Sequence, residues 1–179
     1  NGDYSIIVPT GAHTVFVNAD SGLISEYYDD QPDFGSADAV QVTAPGTTSG
    51  IDFQLAESGH ITGRVTDSVS GDPIENATVT AYTTDGTFVS STSTNATGDY
   101  DIDTNLRSGQ YKVGFDGPDR EFDGSPGYVG VFYSNKSTLG AANAVSVTAG
   151  QTQSGIDQQL VPCDQAGTST TTTTSTTTT

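Results

Sequence analysis

The chain has 179 residues, 22 of them acidic and 5 basic, for a net charge of −17. Binding nucleic acid through its phosphates needs clustered lysine and arginine, so this balance argues against it. Hydrophobic residues make up only 32%, and no apolar run approaches the ~20 residues that a membrane-spanning helix needs.

Gly, Thr, Val and Tyr are plentiful and long runs of helix formers are absent, so the composition predicts an all-β chain. The acidic, lysine-poor surface fits either a saline or divalent-rich medium that screens self-repulsion, or an ordinary secreted domain. Cys163 is the only cysteine, so it is either a free thiol or pairs between molecules. No signal peptide is evident. Asn1 opens inside a strand-and-turn pattern, which reads as part of a longer chain or a processed product.

In chain order, alternation predicts strands at Tyr4–Val8, Ala12–Asn18, Leu23–Tyr28, Ala39–Thr43 and Ile51–Leu55. Next comes Gly59–Tyr82, GHITGRVTDSVSGDPIENATVTAY. There Ile61, Gly63 and Val65 alternate with polar residues, Gly71 and Pro73 force a turn, and Ala77, Val79 and Ala81 alternate again. Further strands are expected at Ile61–Thr66, Ala77–Thr83, Phe88–Thr94, Tyr100–Thr104, Gln110–Phe115, Val129–Tyr133, Ala144–Thr148 and Ile156–Leu160. Thr84-Asp85-Gly86 is the clearest hairpin turn, with glycine where a positive φ is required.

The chain repeats itself. Gly2-Asp3-Tyr4 matches Gly98-Asp99-Tyr100, and Gly11–Val15 matches Gly109–Val113. Tyr27-Tyr28 matches Phe132-Tyr133, ADAVQVTA at 37–44 matches ANAVSVTA at 142–149, and SGIDFQL at 49–55 matches SGIDQQL at 154–160. On this reading, residues 1–57 are the C-terminal half of a β-sandwich module that lacks its opening strands. Residues 59–162 are a complete module, and 163–179 a Thr/Ser-rich linker or tail. A half-sandwich leaves a sheet edge uncovered, so its missing strands come either from an upstream extension or from a neighbouring subunit by strand complementation.

The pattern G-x-I-x-G-x-V-T-D, turn, P-I-x-x-A-x-V-x-A-Y resembles the opening of carboxypeptidase-regulatory-like (CnaB-type, transthyretin-like) β-sandwich modules. The later Pro126-Gly127-Tyr128, Tyr133-Ser134-Asn135-Lys136 and Ala144–Thr148 resemble the ending of the same family. The resemblance implies tandem Ig-like sandwiches in secreted and surface proteins. Such modules often join a first-strand lysine to a last-strand asparagine as an isopeptide. Here the first strand carries Arg64, which is no usable amine nucleophile, so no such crosslink is expected.

Catalysis finds little support: His13 and His60 lack motif partners, and no nucleophile elbow, HExxH or phosphate loop is present. The chain is therefore read as no enzyme, with no cofactor expected beyond a Ca²⁺ candidate. Asp116, Asp119 and Asp123 crowd one glycine-containing loop with Glu121 and supply oxygen ligands suited to that ion. A solvated acidic loop is the alternative. Asp29, Asp30 and Asp33 repeat the feature in the first copy.

N-x-S/T sequons at Asn76, Asn95 and Asn135 are N-glycosylation candidates. The tail residues Thr168, Ser169, Thr170, Thr171, Thr172, Thr173, Thr174, Ser175, Thr176, Thr177, Thr178 and Thr179 are O-glycosylation candidates, or else a bare linker. The leading expectation is an extracellular, glycosylated structural module of a cell-surface stalk or filament, with neighbouring modules of the same polymer and covalent glycans as partners. The alternative is an accessory carbohydrate-binding or spacer module of a secreted enzyme.

Overall fold

The computed structural model describes residues 2–20, 22–118 and 127–165. The strands in chain order are β1 (Gly11–Thr14), β2 (Phe16–Val17), β3 (Glu26–Tyr27), β4 (Ala39–Val42), β5 (His60–Asp67), β6 (Thr78–Thr83) and β7 (Phe88–Ser93). They continue with β8 (Asp99–Ile102), β9 (Gly109–Asp116), β10 (Val131–Phe132), β11 (Val145–Val147), β12 (Thr152–Gln153) and β13 (Gln158–Leu160). One 3₁₀ turn, Leu139–Ala141, precedes β11. The described chain is all-β.

From β5 onward the strands form a two-sheet sandwich. In one sheet β9 lies between β6 on one edge and β10 and β11 on the other, and β7 extends the sheet beyond β6, all antiparallel. In the other, β5 is central: β8 pairs with it antiparallel, while β12 and β13 share its opposite edge and run parallel to it. The inward-facing residues of both sheets make one core that includes Ile61, Val65, Val79, Ile102, Val113, Phe115 and Leu160, all 0–1% exposed.

Local chemistry explains the elements. Gly63 leaves room for the next strand: a Cβ there would lie 2.3 Å from the Ile156 carbonyl oxygen. The β6–β7 hairpin turns where expected, with Gly86 at φ 99°.

Residues 2–57 form two small ladders. β1 pairs antiparallel with β4, and β2 with β3. Tyr4–Val8 and Ile51–Leu55 are not strands, contrary to their alternation, and the reason is structural. Their sequence equivalents in the second copy are β8 and β13, and both of those obtain their backbone partners from β5. No counterpart of β5 lies among residues 2–57, so alternation alone leaves these segments without a ladder. Ala12–Asn18 divides into β1 and β2, whereas its equivalent β9 stays continuous, with β6 paired along its other edge from Tyr111 to Asp116. β12 carries no apolar alternation and was not expected.

Val113 is fully buried while its equivalent Val15 is half-buried. Val113→Ala is therefore expected to destabilise the fold by about 2 kcal/mol and Val15→Ala by about 1 kcal/mol or less, read by denaturant unfolding.

Candidate functional site

The two copies share more than sequence. Gly11, Ala12 and His13 of β1 face Val42, Gln41 and Val40, and Gly109, Gln110 and Tyr111 of β9 face Val147, Ser146 and Val145 in the same register. Phe16 faces Tyr27 as Gly114 faces Phe132. Tyr27 and Gln31 exchange backbone hydrogen bonds around Asp29 and Asp30 at φ 63° and 57°. Phe132 and Lys136 do the same around Ser134 and Asn135 at φ 64° and 57°. The Tyr4 hydroxyl donates to the Ile51 carbonyl, and Tyr100, its equivalent, donates to Ile156.

Their burial differs sharply. Tyr100 and Ile102 are 5% and 1% exposed, whereas Tyr4 and Ile6 are 51% and 60% exposed. Phe16 and Phe34 flank Tyr27 on the exposed surface, with ring centroids 4.7 and 6.1 Å from it. The β1–β2 edge opposite β3 and β4 pairs with no strand among the described residues. This uncovered face is the main candidate for a binding surface.

A second feature is the joint that seats the first copy on one pole of the sandwich. The Gly22 N–H donates to the Asp103 carbonyl at 2.9 Å and the Asn105 N–H to the Leu23 carbonyl at 3.2 Å. Asn105 Oδ1 accepts from the Ser25 N–H at 2.7 Å, and Arg107 donates to the Ser25 carbonyl at 2.8 Å. Glu26 is buried beside this joint and its Oε1 has no hydrogen-bond partner. Burial pushes its carboxyl above the ordinary glutamate value and the Asp30 charge adds to that, while Arg107 and the Gln54 N–H oppose it. Single-sequence reading missed this group, since its partners lie about eighty residues away.

The opposite pole is closed by the chain's exit. Asp67 Oδ1 accepts from the Val69 and Ser70 amides at 2.6 and 3.0 Å, and the Tyr128 hydroxyl donates to its Oδ2 at 3.0 Å. Burial opposes the Asp67 charge, but the Ser70, Val69 and Tyr128 donors outweigh it and hold the carboxyl below its ordinary value. Burial, then the Asp67 hydrogen bond and charge, pushes Tyr128 up to about 12. Val129 and Cys163 donate backbone bonds to Val161 and Gly127, stitching 127–129 to 161–163.

All three sequons sit in this far half and are exposed. Asn76, at φ 60°, bonds through its N–H to the Thr94 carbonyl, next to Asn95. Asn95 Oδ1 accepts from the Thr97 N–H, the Thr97 hydroxyl and the Asp99 N–H at 2.9, 2.7 and 3.0 Å. Asn135 lines an open polar groove of about 500 Å³ with Arg64, Tyr133, Asp157 and Gln158, and Gln158 donates to its side-chain oxygen.

Asp116 is exposed at the end of β9, but Asp119 and Asp123 lie outside the described residues, as does the tail 168–179. Asp33 Oδ1 caps the Gly35 and Ser36 amides at 2.9 and 3.0 Å. Among the described residues no group of three His, Cys, Asp or Glu side chains could hold a metal. His13 contacts the Pro9 carbonyl at 2.8 Å. His60 meets Asp101 at 3.0 Å, a pairing made by the β5–β8 register. Arg64 points outward and donates through Nε to the Thr97 carbonyl at 2.7 Å, and Cys163 is exposed. No helix among the described residues is long and apolar enough to cross a membrane.

The Glu26 geometry gives a pH dependence whose sign is set by its raised value in the folded state. The folded segment holds the proton more tightly than the unfolded segment does, so the structure around Glu26 is firmest below the ordinary glutamate value and loosens as pH rises through the folded-state value. Glu26→Gln is expected to slow hydrogen exchange of the Gly22 and Ser25 amides at pH 7 and to change little at pH 4.

Three solved structures share the general likeness. The Bacillus anthracis TIE protein has TM-score 0.43 and 17% identity, and the alignment covers 87% of this chain and 26% of that one. GBS52, the minor pilin of Streptococcus agalactiae, has TM-score 0.37 and 16% identity, covering 87% of this chain and 61% of that one. BcpA, the major pilin subunit of Bacillus cereus, has TM-score 0.39 and 13% identity, covering 88% and 56%. The chain thus spans about a quarter of the first structure and less than two thirds of the other two. No curated protein matches it significantly. The carboxypeptidase regulatory-like domain family matches residues 60–161, from the first residue of β5 to one residue past β13 and over more than half the sequence, and the chain belongs to that family.

Proposed function

We propose that the chain is a tension-bearing spacer of an extracellular, cell-surface stalk or filament built from sandwich modules placed end to end. One observation carries this reading: β5 runs parallel to β12 and β13. A strand that enters at one pole and a last strand that runs the same way put the module's entry and exit at opposite poles. Pulling on the two ends then loads the β5–β13 ladder along its length, so its hydrogen bonds must fail together rather than one after another.

Other features support the same reading. Backbone bonds at the joint hold the preceding segment against the module, where a free linker would let it swing. On this reading the sequons Asn76, Asn95 and Asn135 and the Thr/Ser tail are where covalent glycans would hydrate the outer half and stiffen the stalk. The net charge of −17 keeps neighbouring rods apart unless salt screens it. The uncovered face of residues 2–57 is the place for strand complementation by a neighbouring module.

Single-molecule pulling tests the mechanical claim. Handles placed through Glu57→Cys and the native Cys163 load the ladder lengthwise, while handles through Ser68→Cys and Cys163 peel β13 from β5 at one pole. The first geometry is expected to rupture at several-fold higher force. Equal forces in the two geometries would sink the reading.

A further inference from the structure

We infer that the uncovered face of residues 2–57 docks the opening half of a neighbouring repeat, and that Phe16 selects an opening half whose β6-like strand carries a small side chain where this chain has Tyr82. This deepens the spacer reading and rests on it.

The register of the docked strand follows from the equivalence of the two copies. β6 pairs with β9 so that Val79 faces Phe115, Ala81 faces Val113 and Thr83 faces Tyr111. Those β9 positions correspond to Val17, Val15 and His13, because β1 meets β4, and β2 meets β3, as β9 meets β11 and β10. An incoming strand thus places its Val79-like residue opposite Val17 and its Ala81-like residue opposite Val15. A β5-like neighbour in the same half would supply the backbone partners that Tyr4–Val8 and Ile51–Leu55 lack, and would cover Tyr4 and Ile6.

The selectivity follows from one exchange of side chains. In the complete module Gly114 faces Phe132, and a Cβ on Gly114 would lie 3.3 Å from both the Tyr82 and the Phe132 rings. The Tyr82 and Phe132 rings sit 6.3 Å apart, over the glycine. In the first copy Phe16 takes the glycine's place and stacks 4.7 Å from Tyr27, the Phe132 equivalent. The space that Tyr82 occupies over β9 is therefore filled by Phe16 over β2. A strand with tyrosine at that position meets the Phe16 ring, and one with alanine or serine does not.

A second copy of this chain is a poor donor for a further reason. Its own β5–β8 are already built into a complete core, so lending them would uncover β9–β13 and pass the same deficit onward. The fitting partner is an opening half that has no closing half of its own.

The test completes the first copy. A second copy of residues 59–97 is joined directly ahead of Gly2, reproducing the natural Thr97–Gly98 junction, once with Tyr82 and once with Tyr82→Ala in the added segment. Hydrogen exchange is read at the Ala12–Val17 amides, with β9 amides as the internal check that the native module is intact. The alanine version is expected to slow exchange at Ala12–Val17 by about tenfold or more, and the tyrosine version by less. A synthetic 59–97 peptide carrying Tyr82→Ala, added in trans to the full chain, reads the same amides should the fusion fold poorly. Unchanged exchange both in the fusion and in trans overturns the docking, and equal protection by the two fusions overturns the role of Phe16. Neither result bears on the pulling geometry, so failure here is separable from failure of the spacer reading.

Discussion

The structure depends on the hydrogen-bonding of β5. That strand pairs on one side with β8 and on the other with β12 and β13, so the backbone groups of four segments are satisfied through it. Gly63 lets the Ile156 backbone come close, and Ile61 and Val65 place its inner face in the core. Residues 2–57 make the same point by contrast. They hold sequence equivalents of β8, β9, β10, β11 and β13, but no counterpart of β5 lies among them, and the segments around Tyr4 and Ile51 form no ladder, with Tyr4 and Ile6 exposed.

Much of the fold was legible because the repeated blocks are local and alternate strictly. The positions of β5, β6, β7, β8, β9 and β11, the hairpin at Gly86 and the alignment of the two copies follow from patterns a few residues long. What escaped depends on distance. The Asp67–Tyr128 bond, the His60–Asp101 pair and the seat of Glu26 against the Arg107 loop join residues far apart in sequence, and no residue type marks them in advance. β12 escaped because two polar residues carry no periodicity. Tyr4–Val8 and Ile51–Leu55 were misread for the opposite reason: alternation reports which face a segment would bury, and it is silent on whether a partner strand exists.

The charge plays little part in holding the sandwich together. The ion pairs among the described residues are His60–Asp101 and Arg64–Asp99, both on the surface, the latter at 3.7 Å, and such pairs contribute little in water. The carboxylates that do matter act as acceptors for amides and hydroxyls, as Asp67 and Asp33 show. Stability therefore rests on apolar burial and backbone pairing, which leaves the acidic surface free to set how the molecule behaves towards its surroundings.

At the Gly22–Ser25 joint the first segment offers backbone groups alone, and the sandwich meets them with the Asp103 and Asn105 backbone and the Asn105 and Arg107 side chains. Its geometry is thus tied to the course of the chain on one side and, on the other, in part to the Asn105 and Arg107 side chains. An identical contact repeated head to tail along a row of units defines one rotation and one translation per step, and so a screw axis. In such a row every surface feature of one module, Asn76, Asn95 and Asn135 among them, recurs on a helical line around the rod.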